Sequence, residues 1–131
     1  MSLISVLVAG LAGWLFGAAW YMALSKEWLA ATGIPCDENG KPEGNNSALP
    51  FVMSAVAMIF VAGFMRHIFA SAGITSIGMG LVGGFGIGLF FISPWIMINN
   101  AYESRPFKLT LINGGYATFG CAIMGAVLTI F

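Results

Sequence analysis

Four apolar stretches, at roughly residues 3–24, 48–70, 74–98 and 108–131, alternate with short polar segments along this chain. Each holds about 18 or more mainly apolar residues, enough to cross a ~30 Å hydrocarbon core as an α-helix. The pattern predicts an all-α fold, an up-down four-helix transmembrane bundle. Its helices are expected over about residues 3–32, 47–70, 74–98 and 105–131, with polar loops at 33–46 and 99–104. Residues 1–131 read as a single domain, and the first stretch reads as a retained helix, since it lacks a basic leader segment.

Turn and cap residues punctuate the pattern. Lys26, Glu27 and Trp28 are interfacial types that carry the first helix past the hydrocarbon, and Gly33-Ile34-Pro35 supplies its stop. Asn46 or Ser47 is a candidate cap for the second helix, and Thr75 or Ser76 for the third. Ser71-Ala72-Gly73 forms a tight connection. Pro94 loosens the last turns of the third helix. Ser104 is the expected cap of the fourth, with Pro106 in its first turn.

Composition strengthens this picture. Only 8% of residues are charged and the mean hydropathy is +0.91. A water-soluble domain has too few charges here to build its exterior. Five Lys/Arg balance five Asp/Glu. No basic tract suggests nucleic acid, and no acidic tail suggests a cationic partner. Four spans put both termini on one face and the loops after the first and third helices on the other. Lys26, Lys41, Arg105 and Lys108 lie on the loop face and Arg66 on the terminal face. The positive-inside rule therefore predicts cytoplasmic loops and outside termini.

Glycine, at 18 residues, is the second signal. Gly80, Gly84 and Gly88 repeat every four residues on the third helix. Gly13 and Gly17 pair on the first, and Ala117, Cys121 and Gly125 form a small-residue ladder on the fourth. Small residues let backbones approach where lipid supplies no hydrophobic force between helices. The partner of such a face is either another helix of this chain or a second protein.

Polar groups gather at the loop end. Trp20 and Tyr21 end the first helix, and Trp95, Asn99 and Asn100 end the third. Arg105, Lys108, Asn113 and Tyr116 share one stripe of the fourth by i, i+3/i+4 spacing. Asn113 lies about two turns inside, where an amide needs a partner. The set reads either as cross-links and headgroup contacts, or as a polar vestibule for an anion held by Arg105 and Lys108.

Some of these residues carry a resemblance. The segments Gly17-Ala18-Ala19-Trp20-Tyr21, Asn99-Asn100-Ala101-Tyr102-Glu103-Ser104-Arg105-Pro106-Phe107-Lys108-Leu109 and Leu111-Ile112-Asn113-Gly114-Gly115-Tyr116 resemble the bacterial membrane family catalogued as domain of unknown function 1761. The resemblance covers the whole chain. It implies a small four-helix integral membrane protein and no activity. It marks Asn99, Asn100, Arg105, Pro106, Asn113 and Tyr116 for testing. The long loop at 37–47 looks like this chain's own elaboration.

Other chemistry finds little support. His67, with Gly63 four residues earlier, suits an axial metal ligand, but a lone His beside Arg66 at a helix end reads better as interfacial. Asp37 and Asn39 match the start of a calcium loop that Lys41 and Pro42 spoil, and Glu38 and Glu43 read as solvated. Asn45-Asn46-Ser47 fits a glycosylation sequon. Cys36 and Cys121 lie at different depths, which argues against a disulfide. No acid lies inside a helix and no Ser/His/Asp set is present, so no enzyme, metal or cofactor is expected. The expected role is an accessory subunit, packed through glycine faces against a larger complex, possibly a bioenergetic one, or against itself, with membrane lipids around it. The alternative is a homo-oligomeric carrier or channel using Arg105, Lys108 and Asn113.

Overall fold

The computed structural model describes residues 2–39 and 48–131. Lys41, Pro42, Glu43, Asn45, Asn46 and Ser47, which the sequence offers as caps, cation ligands and sequon, lie outside the described residues. The described residues form an all-α fold. Its helices are α1 (Leu3–Ala23), α2 (Ser25–Thr32), α3 (Leu49–Ala72), α4 (Ile77–Ile87), α5 (Ser93–Tyr102) and α6 (Phe107–Ile130). A π-helical turn, Gly88–Ile92, joins α4 to α5 into one continuous rod. Four helices, Leu3–Ala23, Leu49–Ala72, Ile77–Tyr102 and Phe107–Ile130, have the length and hydropathy to cross a membrane.

Several helix ends follow from their residues. Ser2 caps α1, its side chain accepting from the Ser5 amide. The Ser76 hydroxyl accepts from the Met79 amide at 3.2 Å and caps α4, satisfying a donor that has no partner inside the helix. Gly73 closes α3 with φ 72°, a left-handed conformation that suits glycine.

Four readings need correction. Residues 3–32 are not one helix. Leu24 breaks it with φ −109° and ψ 17°, and the polar Ser25-Lys26-Glu27 begins the separate, less apolar α2. The second helix starts at Leu49, with Ala48 at the cap position and no side-chain cap bond. The third does not end at 98. It continues to Tyr102, because Asn100 buries its amide against the Thr110 hydroxyl at 3.1 Å. Asn99 and Asn100 are therefore helical, not loop. Finally, Ser104 does not cap the fourth helix, which starts after Pro106. Ser104 instead ends α5 with φ 58°. Its amide donates to Ala101 at 3.1 Å and the Arg105 amide to Asn100 at 2.8 Å, the paired bonds of a Schellman stop.

The π turn has a local cause. Pro94 has no N–H to donate and its ring opposes the carbonyl one turn back, so the helix widens there. The Ser93 hydroxyl sits 2.8 Å from the Gly88 carbonyl, 3.0 Å from that of Gly114 and 3.3 Å from the Thr118 hydroxyl. It thereby ties the widened turn to α6.

α6 is the hub. Half of its apolar window is buried inside the protein, against 11% for α3 and for the Ile77–Tyr102 rod. α1 packs on one side of it, α4 and α5 on the other, and α3 lies against α1. Gly80, Gly84 and Gly88 stand directly on α6. A methyl group built on each would overlap the carbonyl of Gly125, Cys121 and Ala117 respectively. Gly13 and Gly17 act differently. They leave room for the Met124 side chain and the Tyr116 ring.

The helices thus form an arc in the order α3, α1, α6, α4/α5. Its terminal end is filled by Val6, Ala9, Ala62, Met65, Phe69, Met124 and Leu128. There the Phe69 ring packs under Gly83, which joins α3 to α4. Toward the loop end α5 buries only Asn100.

Candidate functional site

Because α3 meets the Ile77–Tyr102 rod only near the terminal end, through α4, a cleft of about 720 Å³ opens between α3 and α5. Pro50, Phe51, Ser54, Met58 and Val61 of α3 form one wall, and Ile92 and Ile96 the other. The floor is α6, through Asn113, Tyr116, Ala117, Gly120, Cys121 and Met124, with Tyr21 and Trp28 at the loop end. At about 1.5 Å per residue, Asn113 lies ~9 Å along α6 from Phe107, and Met124 ~25 Å. The cleft therefore reaches from near the interface past the middle of a ~30 Å hydrocarbon layer.

Its few polar atoms form a connected group. The Tyr21 hydroxyl donates to Asn113 Oδ1 at 2.7 Å. Tyr116 donates to the Gly13 carbonyl at 3.0 Å, with the Met58 sulfur 3.3 Å away. The two tyrosine rings meet edge to face at 5.4 Å, and Trp28 meets Tyr21 at 6.3 Å. Asn113 makes one side-chain hydrogen bond, and no buried side-chain polar atom among the described residues lacks a partner. The Asn113 Nδ2 group, two donors, therefore makes no bond to a described residue and is not sealed inside the protein, and Asn113 lines the cleft. None of the described lining residues is charged.

The polar set expected from sequence divides. Tyr21, Asn113 and Tyr116 come together in the cleft. Trp20 lies elsewhere, donating to the Ile112 carbonyl at 2.9 Å with its ring over Gly115. Asn100 is a buried cross-link to Thr110. Arg105 donates to the Thr32 carbonyl, fastening the C-terminal end of α2 to the start of α6. Asn99, Lys108 and Trp95 are exposed. Neither Arg105 nor Lys108, the pair expected to hold an anion, lines the cleft, and the Arg105 guanidinium serves a helix end.

Sequence reasoning overlooked Ser93, Thr118, Met58 and Ser54. Ser93 had a signal, its place just before Pro94. Ser54 accepts from the Trp14 indole at 3.0 Å, linking α3 to α1. His67 is exposed beside Phe64, ring centroids 5.5 Å apart. The Asp37 carboxylate accepts from the Asn39 amide at 2.9 Å, closing its own turn. Cys36 is exposed and Cys121 buried, and neither is in a disulfide. Among the described residues no three His, Cys, Asp or Glu gather as a metal site.

A family profile described as "Protein of unknown function (DUF1761)" matches residues 4–129. No curated protein and no solved structure matches the chain.

Proposed function

This chain belongs to the DUF1761 family, whose description carries no activity, and we propose that it is a small non-catalytic integral membrane protein that takes a lipophilic molecule from the bilayer into the cleft between α3 and α5. The observation behind this reading is the cleft itself. At about 720 Å³ it has the size of a small-molecule site. It is apolar, and all four spans line it. It faces lipid through the gap between two helices, so a ligand dissolved in the membrane reaches it sideways.

A binding role fits the residues better than catalysis. No Asp or Glu lies within the four spans. The one His lies toward the opposite end of α3 from the cleft's polar group. An accessory subunit docked through the glycine ladder has less support, because α6 already covers Gly80, Gly84 and Gly88. A carrier or channel lacks a polar path, since below Tyr116 the cleft is lined by Ala117, Gly120, Cys121 and Met124. We place the protein in a bacterial inner membrane with its polar connections cytoplasmic, from the balance of Lys26, Lys41, Arg105 and Lys108 over Arg66.

The test uses a long-chain hydrocarbon bearing a diazirine and no head group, added to the protein in lipid nanodiscs. After irradiation, peptide mapping should find saturable labelling at Val61 and Met124 that unlabelled hydrocarbon displaces. Labelling confined to lipid-facing Phe60 and Phe64 would dismiss the proposal.

A further inference from the structure

The cleft's polar chemistry narrows what it holds. We infer that the occupant is a neutral amphiphile: an apolar chain ending in an uncharged hydroxyl or carbonyl oxygen that accepts from the Asn113 Nδ2 group. This inference rests on the cleft being a binding site.

Three observations carry it. First, the wholly unused hydrogen-bonding group of Asn113 is its donor group. Its Oδ1 already accepts from the Tyr21 hydroxyl at 2.7 Å, while Nδ2 makes no bond to a described residue, and Asn113 lines the cleft. About two turns into the hydrocarbon, an N–H without a partner is unfavourable, so an oxygen acceptor on the ligand is favoured there. Second, the lining carries no charge of either sign among the described residues. A carboxylate, sulfonate or phosphate at this depth would be desolvated with no counter-charge. The nearest basic residues along α6 do not supply one. Arg105 is engaged at the Thr32 carbonyl, and Lys108 is exposed outside the cleft. Third, beyond Tyr116 the floor and walls are apolar, through Ala117, Cys121, Met124, Val61 and Ile92. That end receives a hydrocarbon chain, with the head held at Asn113 toward the loop side. A phospholipid cannot bring its charged headgroup to this position.

Two photoprobes with identical diazirine-bearing chains test the class, one ending in a hydroxyl and one in a sulfonate. Each is added to the full-length protein in phosphatidylcholine nanodiscs. Labelling at Val61 and Met124 is scored against Phe60 and Phe64 on the lipid-facing side of α3, which correct for unequal partitioning. The alcohol should label the cleft at least about threefold more strongly than the sulfonate after this correction. Asn113→Leu should lower cleft labelling by the alcohol about three- to tenfold, the range of one hydrogen bond, and Asn113→Gln should retain much of it. Equal or stronger cleft labelling by the sulfonate would overturn the neutral class and leave the cleft standing. Absence of cleft labelling by both, together with failure of the headless hydrocarbon, would remove the binding site itself. If Asn113→Leu does not fold, the probe ratio on the unsubstituted protein still decides the class. Unchanged alcohol labelling in a folded Asn113→Leu would remove Asn113 as the head contact.

Discussion

A phenol in hydrocarbon has only protein to bond to, and Tyr21 uses Asn113 for this at 2.7 Å. Replacing Tyr21 with Phe should destabilise the bundle by about 0.6 kcal/mol and by no more than ~1.7, the span measured for hydrogen bonds between membrane helices. Reversible unfolding in mixed micelles would show it; a loss of several kcal/mol would mean that the pair organises the fold. Ser104 makes the opposite forecast. A left-handed non-glycine residue costs roughly 1–2 kcal/mol and glycine's added chain entropy roughly 0.5–1. Ser104→Gly should therefore stabilise by about 0.5–1 kcal/mol in the same assay, and a drop in stability would count against the Schellman stop. Sequence alone hid Ser104. Serine before Arg-Pro reads as a helix cap, and only the two backbone bonds to Ala101 and Asn100 reveal a helix end.

Between elements, the seam of α4 and the π turn on α6 carries the closest backbone approach of any glycine among the described residues. Gly84→Ala places a methyl group on the Cys121 carbonyl and should destabilise by about 1–3 kcal/mol. Gly86, two residues away, has nothing within 4 Å of where its methyl would lie. Gly86→Ala should be neutral or mildly stabilising, since alanine favours the helix by up to about 1 kcal/mol. Equal effects at the two sites would mean that propensity, not packing, sets the response. The seam was legible because both ladders keep a period of four residues, which one face of a helix requires. Their mutual pairing was not, since the same ladders would serve a second chain equally well. The break at Leu24 was also hidden. No glycine or proline marks it, and α2 is set by a fall in hydropathy and by its tie to Arg105.

For the whole molecule, helix number and span were plain from hydropathy, because hydrocarbon thickness fixes the length of each apolar run. The cleft was not, because it depends on where two helices fail to touch, and hydropathy records only that each is apolar. Only Tyr21, Asn113 and Tyr116 of the expected polar group lie in it, for the same reason: residues at one depth need not share a face. Orientation has its own check. Cys36 is exposed and Cys121 buried, so a membrane-impermeant maleimide should label Cys36 in inside-out vesicles and not in right-side-out ones. The reverse would invert the topology.

A binding role requires the cleft in the loop half of the bundle to hold one lipophilic molecule. Native mass spectrometry of the protein released from micelles, titrated with a long-chain alcohol, tests it most directly beside an Ile96→Trp variant that fills the cleft from α5. A binding cleft should saturate at one alcohol per chain in the unsubstituted protein, and the variant should lose that binding with its unfolding midpoint unchanged or raised. Equal binding by the two proteins, or uptake that rises without saturating, would contradict it.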